Sequence, residues 1–408
     1  MLRLNWFVTF ADFLKLLDNS METLPTKAIK LVCANCKKLY NPVVPNTYAL
    51  CCNQPLLLEY NFNCSSSIDE HIGRGNSMWR YYDVLPVADK ANIVSLGEGM
   101  TPVLQLDNLS VLYGLSSLLL KDEAFNPTGS FKARGISVAV SKAKELGIDR
   151  LIIPTAGNAG GALAAYCAKA NMKCIVVMPE HTPNIFKEEC RLYGAELILV
   201  KGLINDCAKK VEEIKKKNDY FDVSTMKEPY RLEGKKTMGY EIAEQLNWTL
   251  PHAIVYPAGG GTGLIGIWKA FQEMLQLGWI KAPLPKMIAV QAENCAPLAA
   301  AMQHPTSWKE TFSYGQTVAN GLAVPFPFGM NLMQKVINDS NGFVVTVTEQ
   351  EIKEGMKEVA KAEGILLSPE GSAAWKAIPH SLQGKMLSSS QNILLLNTAS
   401  GYKYLKNE

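Results

Sequence analysis

Lys132 stands in the segment Asn126-Pro-Thr-Gly-Ser-Phe-Lys-Ala-Arg-Gly135, where Pro127 and Gly129 make a tight turn and Ser130 is a candidate N-cap. The spacing predicts that the lysine falls in the first turn of the helix that follows. The positive end of the helix dipole disfavours an ammonium there, which lowers the pKa and favours the neutral amine. A neutral amine is the form that makes a Schiff base with a carbonyl compound. The same residues also suit an ordinary surface lysine after a capped turn, and the motif alone does not separate the two.

Three further segments could do chemistry. In Pro154-Thr155-Ala156-Gly157-Asn158-Ala-Gly-Gly161, small residues let backbone N–H groups approach a carboxylate or phosphate, and Asn158 adds a side-chain donor. Gly259-Gly260-Gly261-Thr262-Gly263 places four glycines in five residues at the opening of a helix, a backbone cradle for phosphate. No Gly-Lys-Ser/Thr follows, so this is not a Walker loop. A GxGxxG is present as Gly261, Gly263 and Gly266, and Glu293 closes the next strand where a dinucleotide fold carries its ribose-binding acid. A nicotinamide-dependent dehydrogenase is therefore the alternative class. Asn397-Thr398-Ala-Ser400-Gly401 offers hydroxyls that either present a neutral hydrogen bond to a heterocycle or cap a turn.

The elements that must position these loops alternate. Strands are expected at 118–122, 150–154, 173–178, 196–200, 253–256, 286–290 and 393–396, with helices at 131–146, 159–170, 188–193 and 264–277. Strands separated by single helices imply an α/β fold with mostly parallel sheets covered on both faces. In such sheets ligands bind where the carboxyl ends of strands lead into helices, and all four segments fall there.

Residues 29–66 read instead as short strands around five cysteines, Cys33, Cys36, Cys51, Cys52 and Cys64. Cys33-Ala-Asn-Cys36 is a zinc-knuckle spacing, and Cys51 and Cys52 are the candidate second pair. Adjacent cysteines rarely both reach one tetrahedral ion, so a degenerate ribbon held by its own small core is the competing reading. The remaining cysteines lie in apolar or helical stretches, as expected of reduced thiols in a cytoplasmic protein.

With 408 residues the chain exceeds what one hydrophobic core organises, so two domains and a small appendage are expected. A formal charge of +3 and the mixed run around Lys215–Lys217 argue against a nucleic-acid face. No apolar stretch approaches the roughly 20 residues of a membrane span. Residues 1–28 read as an N-terminal extension, with Met21 an alternative start.

Taken in order, Ser130-Phe131-Lys132, Thr155-Ala-Gly-Asn158, Gly259–Gly263 and Thr398 resemble the signature of fold-type-II pyridoxal-phosphate enzymes. Within that family the chain is similar to threonine synthases. Leu96-Gly-Glu-Gly-Met-Thr-Pro102, Lys121-Asp-Glu, Tyr230-Arg-Leu-Glu-Gly-Lys-Lys-Thr237 and Gln291-Ala-Glu-Asn-Cys-Ala-Pro-Leu298 carry the narrower likeness, and the Cys-rich segment resembles a ribbon that precedes such enzymes. The resemblance runs from about residue 30 to 404. It implies two doubly wound domains, 91–136 with 223–408 binding the cofactor and 137–222 forming the smaller one, preceded by a ribbon at 29–90.

The resemblance also implies roles. Lys132 holds pyridoxal phosphate and shuttles protons, Phe131 flanks the ring, and Asn158 bonds the 3′-oxygen. Gly259, Gly260, Gly261, Thr262 and Gly263 wrap the phosphate, and Thr398 meets the pyridine nitrogen. Thr155, Ala156, Gly157 and Asn158 receive the substrate carboxylate. The implied reaction converts O-phosphohomoserine and water to threonine and phosphate, in a cytoplasmic homodimer. A serine/threonine ammonia-lyase or another amino-acid synthase is the alternative on the same fold. The chain departs from the pattern at Ala159-Gly160-Gly161, where many threonine synthases carry hydroxyls, at Thr262, and at Ser368-Pro-Glu-Gly-Ser-Ala in place of Glu-Pro-Ala-Ser-Ala. Lys121, Arg134, Lys235, Lys236 and Thr237 are candidates for a substrate-phosphate site, each equally suited to a structural ion pair.

Overall fold

A computed structural model describes residues 28–62, 68, 72–73 and 75–405. The N-terminal extension and Cys64 lie outside the described residues. The strands are β1 (Ala28–Cys33), β2 (Leu39–Tyr40), β3 (Leu56–Tyr60), β4 (Val103–Gln105), β5 (Ser117–Asp122), β6 (Arg150–Pro154), β7 (Lys173–Pro179), β8 (Glu196–Val200), β9 (Phe221–Asp222), β10 (Ala253–Pro257), β11 (Lys286–Ala292), β12 (Phe343–Val347) and β13 (Asn392–Asn397). The helices that bear on the site are α1 (Lys132–Glu145), α2 (Asn158–Ala170), α3 (Asn184–Leu192), α4 (Tyr230–Gln245), α5 (Thr262–Gln276) and α6 (Pro369–Gln383).

Three sheets result, in the orders β2-β1-β3, β12-β11-β10-β13-β5-β4 and β8-β7-β6-β9. The first is antiparallel, with Leu31 opposite Tyr40 and Leu58. The second is parallel except at β4, which runs against β5. The third is parallel throughout. This is the α/β architecture expected, with a small ribbon ahead of it.

Alternation along each strand sends side chains to opposite faces, and both faces of the parallel sheets find cover. On β10, Ile254 and Tyr256 enter one core with Phe271 and Met274 of α5, whereas Ala253 and Val255 enter another with Trp375 and Ile378 of α6. On β6, Leu151 and Ile153 pack with Leu163 of α2, while Ile152 packs with Cys207 and Val211 on the far side. Runs such as Ile-Val-Tyr and Leu-Ile-Ile therefore sit in strands buried on both sides.

Helices α1, α4 and α5 press together through glycines. A Cβ on Gly234 would lie 2.1 Å from the Arg134 carbonyl oxygen, and one on Gly135 would lie 2.7 Å from that of Arg231. Inside this contact Arg134 bonds Glu123 at 2.6 Å and also pairs with Glu241, which receives Lys121 at 2.8 Å. All four side chains are fully buried. Glu98 accepts from Trp79 Nε1 at 2.8 Å and pairs with Ser137 and Tyr166. The Leu96–Pro102 and Tyr230–Thr237 segments thus assemble a polar interior, because each buried charge needs its partner there.

Candidate active site

One cavity of about 330 Å³ opens at the carboxyl ends of β5, β6, β10 and β13. Lys132 lies in it as the first residue of α1. Ser130 does not cap this helix: Phe131 is the N-cap, with no side-chain cap bond, and Ser130 instead bridges to Ala399. That long-range pairing explains the difference. Phe131 N–H donates to the Thr398 carbonyl at 3.0 Å and Ser400 N–H to that of Gly129 at 2.9 Å, so the extended Ser130 is bridged to Ala399 from both sides. Lys132 and Thr398, 266 positions apart in the chain, are thereby locked side by side.

Burial first, and then the Arg231 guanidinium, push the Lys132 amine down to about 7, with Glu370 pulling the other way. Its Nζ stands 4.3 Å over the Phe131 ring. Among the described residues it makes no hydrogen bond or ion pair. An amine that gives up its proton near pH 7 and makes no hydrogen bond is available as a nucleophile and a proton acceptor. A second amine, Lys235 Nζ, lies 4.0 Å from the same ring, donates to the Phe131 carbonyl and is held well below its usual range by burial.

The strand β6 delivers Thr155, Ala156 and Gly157 to the cavity and then Asn158, the first residue of α2. Gly157 N–H donates to Thr155 Oγ1 at 3.1 Å, which tightens the turn. From β10 the chain runs through Gly259, Gly260 and Gly261 into α5, whose N-cap Gly261 sits at φ +79° and offers no side chain to the first-turn N–H groups. Those donors therefore stay open to an anion. Side chains have no room in this loop: a Cβ on Gly259 would lie 2.1 Å from the Gly321 oxygen, and one on Gly261 2.3 Å from Met333 Sδ. Thr262 also lines the cavity. Gly263 does not, and its missing side chain instead admits the Tyr256 hydroxyl, 2.0 Å from where its Cβ would be.

Among the cavity residues not singled out from sequence, four bear most on its chemistry. Tyr256, on β10, packs edge-on to Phe131 at 6.4 Å. Lys227, beside Ser224 and Thr225, brings a cation to the rim. Glu370 accepts from Gly321 N–H at 2.7 Å through Oε1, while its buried Oε2 has no hydrogen-bond partner. Tyr404 lies on the short turn Gly401–Tyr404 that follows β13. Only Glu370 had a signal, through the departure at Ser368–Ala373; the others reach the cavity by folding of distant segments.

The substrate-phosphate candidates are elsewhere. Lys121 and Arg134 belong to the carboxylate cluster with Glu123 and Glu241, and Thr237 accepts from Arg134 at 3.0 Å. Lys236 pairs with Glu233 at 2.7 Å and Glu273 at 3.0 Å. None of these, nor Lys235, lines the cavity, because α4 is enclosed by α1 and α5 and its polar groups face those neighbours. The dehydrogenase alternative loses its acid: Glu293 is exposed and outside the cavity, and Gly266 serves to bring α5 against Lys236.

At the ribbon, the Sγ atoms of Cys33, Cys36, Cys51 and Cys52 all lie within 4.8 Å of one another, with Cys36 and Cys51 3.4 Å apart. The turn at 50–53, with Asn53 at φ +48°, folds Cys51 and Cys52 back onto the first knuckle. Zinc bonded at about 2.3 Å to four thiolates sets them roughly 3.8 Å apart, so the donor set fits that ion. Against burial, which raises it, hydrogen bonds from the Cys36 and Asn35 backbone and from the Cys51 and Cys36 thiols bring Cys33 down to about 7.

A doubly covered parallel sheet, an unpaired buried lysine and a glycine cradle at strand ends define a cofactor-dependent enzyme of the fold-type-II class. The chain belongs to the pyridoxal-phosphate-dependent enzyme family, which matches residues 94–399. It is 33% identical to the threonine synthase of Methanocaldococcus jannaschii over 91% of this chain and 92% of that one. It is 32% identical to that of Methanosarcina acetivorans, covering 79% of each. Among solved structures, the processed threonine deaminase isoform 2 of Solanum lycopersicum superposes with a TM-score of 0.63 at 21% identity, covering 83% of this chain and 92% of that one. Maize serine racemase gives 0.62 at 20%, covering 74% and 88%. These two likenesses show the fold. The family's cofactor suits the residues present: a partnerless amine, uncapped helix N–H groups and a cradle without Cβ atoms share one cavity.

Proposed function

We propose that this enzyme is a threonine synthase, converting O-phosphohomoserine and water to L-threonine and phosphate. The observation that carries the reading is the buried Lys132 amine, without a hydrogen bond or ion pair among the described residues, in a cavity built from three strand-to-helix loops, in a chain whose relatives are threonine synthases. Lys132 would hold pyridoxal phosphate, Phe131 and Asn158 would border its ring, Thr398 would face the ring nitrogen and Gly259–Thr262 would surround its phosphate. Bound there, the cofactor supplies an electron sink for charge developing on substrate carbon.

The protein's own groups do the rest. Backbone N–H groups at Thr155–Asn158, on the positive end of α2, bind the substrate carboxylate. Lys132 Nζ accepts the proton from Cα and returns protons to carbon or to the leaving oxygen, for which a pKa near 7 is matched. Lys227, whose Nζ also stands 3.8 Å from Glu212, and the Thr225 hydroxyl are the groups assigned to the substrate phosphate. Apolar walls at Leu322, Val324 and Phe328 keep bulk water from the reacting carbons.

The same reading makes the enzyme a cytoplasmic homodimer. The free, buried thiols of Cys167, Cys174, Cys190, Cys207 and Cys295 support a reducing compartment. Among the described residues no helix is long and apolar enough to cross a membrane. The ribbon carries one zinc ion on Cys33, Cys36, Cys51 and Cys52.

Purified enzyme incubated with O-phosphohomoserine tests the activity. Stoichiometric phosphate and threonine are expected. Ammonia and a keto acid from threonine or serine, with no phosphate released, would replace the reading with an ammonia-lyase.

A further inference from the structure

The hydrogen bonds around Asn158 are decided by its neighbours' chemistry. Lys403 Nζ approaches Asn158 Oδ1 at 3.3 Å and can only donate. Asn158 Nδ2 donates to the Tyr404 hydroxyl at 3.0 Å. That hydroxyl in turn donates to Glu370 Oε1 at 3.3 Å, where a carboxylate can only accept. Burial, and then Glu370, keep the Tyr404 phenol protonated far above ordinary pH. A flipped amide would set N–H against an ammonium and a carbonyl against a hydroxyl whose proton is already committed.

Both clamping residues are themselves fixed. Lys403 Nζ is held by Glu189 at 2.8 and 2.9 Å and by the Thr128 carbonyl at 2.7 Å. Tyr404 packs edge-on against Phe186 of α3 at 5.8 Å. The Glu189 carboxylate occupies the space beside Gly161: a Cβ there would lie 2.3 Å from its Cδ and Oε2. The glycine that replaces a family hydroxyl thus makes room for an ion pair that grips the same asparagine from outside.

We propose that Lys403 and Tyr404 are positioning residues that hold the Asn158 amide in one orientation, leaving the second N–H of Nδ2 to donate into the cavity toward the ring oxygen of the bound cofactor. This rests on the cofactor reading above. It assigns a task to the turn at Gly401–Tyr404 and accounts for the departure at Gly161 without a change of substrate.

The test is a double-mutant cycle on the holoenzyme, with cofactor dissociation constant and the visible absorbance maximum as readouts. Tyr404→Phe is expected to weaken cofactor binding about 10-fold, the value of one buried hydrogen bond, and to shift the visible band. In an Asn158→Ala background the same change is expected to alter affinity less than about 2-fold and to leave the band in place. Equal effects in both backgrounds, or no effect in either, overturn the proposal. Gly161→Ala attacks the clamp from the other side through Glu189 and is expected to show the same dependence on Asn158, so a Tyr404 variant that fails to fold leaves the question decidable. A wild-type protein with no visible band in saturating pyridoxal phosphate overturns the cofactor reading and this proposal together; a normal band that Tyr404→Phe and Gly161→Ala leave unmoved overturns the proposal alone.

Discussion

Lys132 shows how one residue's chemistry comes from its surroundings. In the unfolded chain its amine keeps a proton up to its ordinary value of 10.5; in the folded protein it does so only to about 7. Between those values the unfolded chain binds more protons, so folding is penalised fully below pH 7 and the penalty fades as pH rises to 10.5. The stability of the cofactor-free enzyme is therefore expected to rise across this window, with Lys132 contributing up to about 1.4 kcal/mol per pH unit. Replacing Lys132 by Met removes that part of the slope. Denaturant unfolding of both proteins at several pH values measures the difference, and parallel curves would refute the depressed pKa.

At the scale of elements, the site is a meeting of loop, strand end and helix N-terminus repeated several times. The helices α1, α2 and α5 all begin at the cavity, and none has a side-chain cap to spend its first N–H groups. The ribbon is a different device. With β2 only two residues long, its sheet buries Leu31, Leu56 and Leu58 in the main core but leaves the exposed end at Cys36 and Cys51 without apolar cohesion. A tetrathiolate ion would supply that cohesion, and Asn35 Nδ2, 3.5 Å from Cys52 Sγ, would orient one ligand. Metal analysis is expected to find one zinc per chain and none in a Cys36→Ser variant. Full zinc in that variant would mean that the ion sits elsewhere.

At the scale of the molecule, a buried ionic cluster ties the six-stranded sheet to α1 and α4. Against burial, which raises it, Arg134 and Lys121 hold the Glu241 carboxyl at about 2. Its contribution to stability is present above its ordinary value of 4.5 and is lost as pH falls toward 2. Replacing Glu241 by Ala strands Arg134 and Lys121 with too few acceptors, at an expected cost of roughly 3–5 kcal/mol in unfolding free energy. Chemical denaturation checks this, and a loss below about 1 kcal/mol would show that Glu123 alone satisfies both cations.

The central strands were legible because a strand buried on both faces leaves an apolar run between turn residues, as at Leu151–Ile153 and Ile393–Leu396, whereas the edge strands β4, β9 and β12 were not read. The short helix 188–193 was read too late in the chain, since α3 starts at Asn184, directly after Pro183, without a side-chain cap to announce it. The sequence by itself determined the alternating α/β order, the glycine cradle and the lysine at a helix start, since turn chemistry and hydrophobic period are local properties. Only the tertiary structure decided which cations are structural and which reach the cavity. Lys121, Arg134 and Lys236 are spent on carboxylates that other segments bring to them. Lys227, Glu370 and Tyr404 converge on Lys132 from positions 95 to 272 residues away. No local pattern encodes that convergence; it exists because the loop after β9, the N-terminus of α6 and the turn after β13 all open onto the cavity where α1 begins.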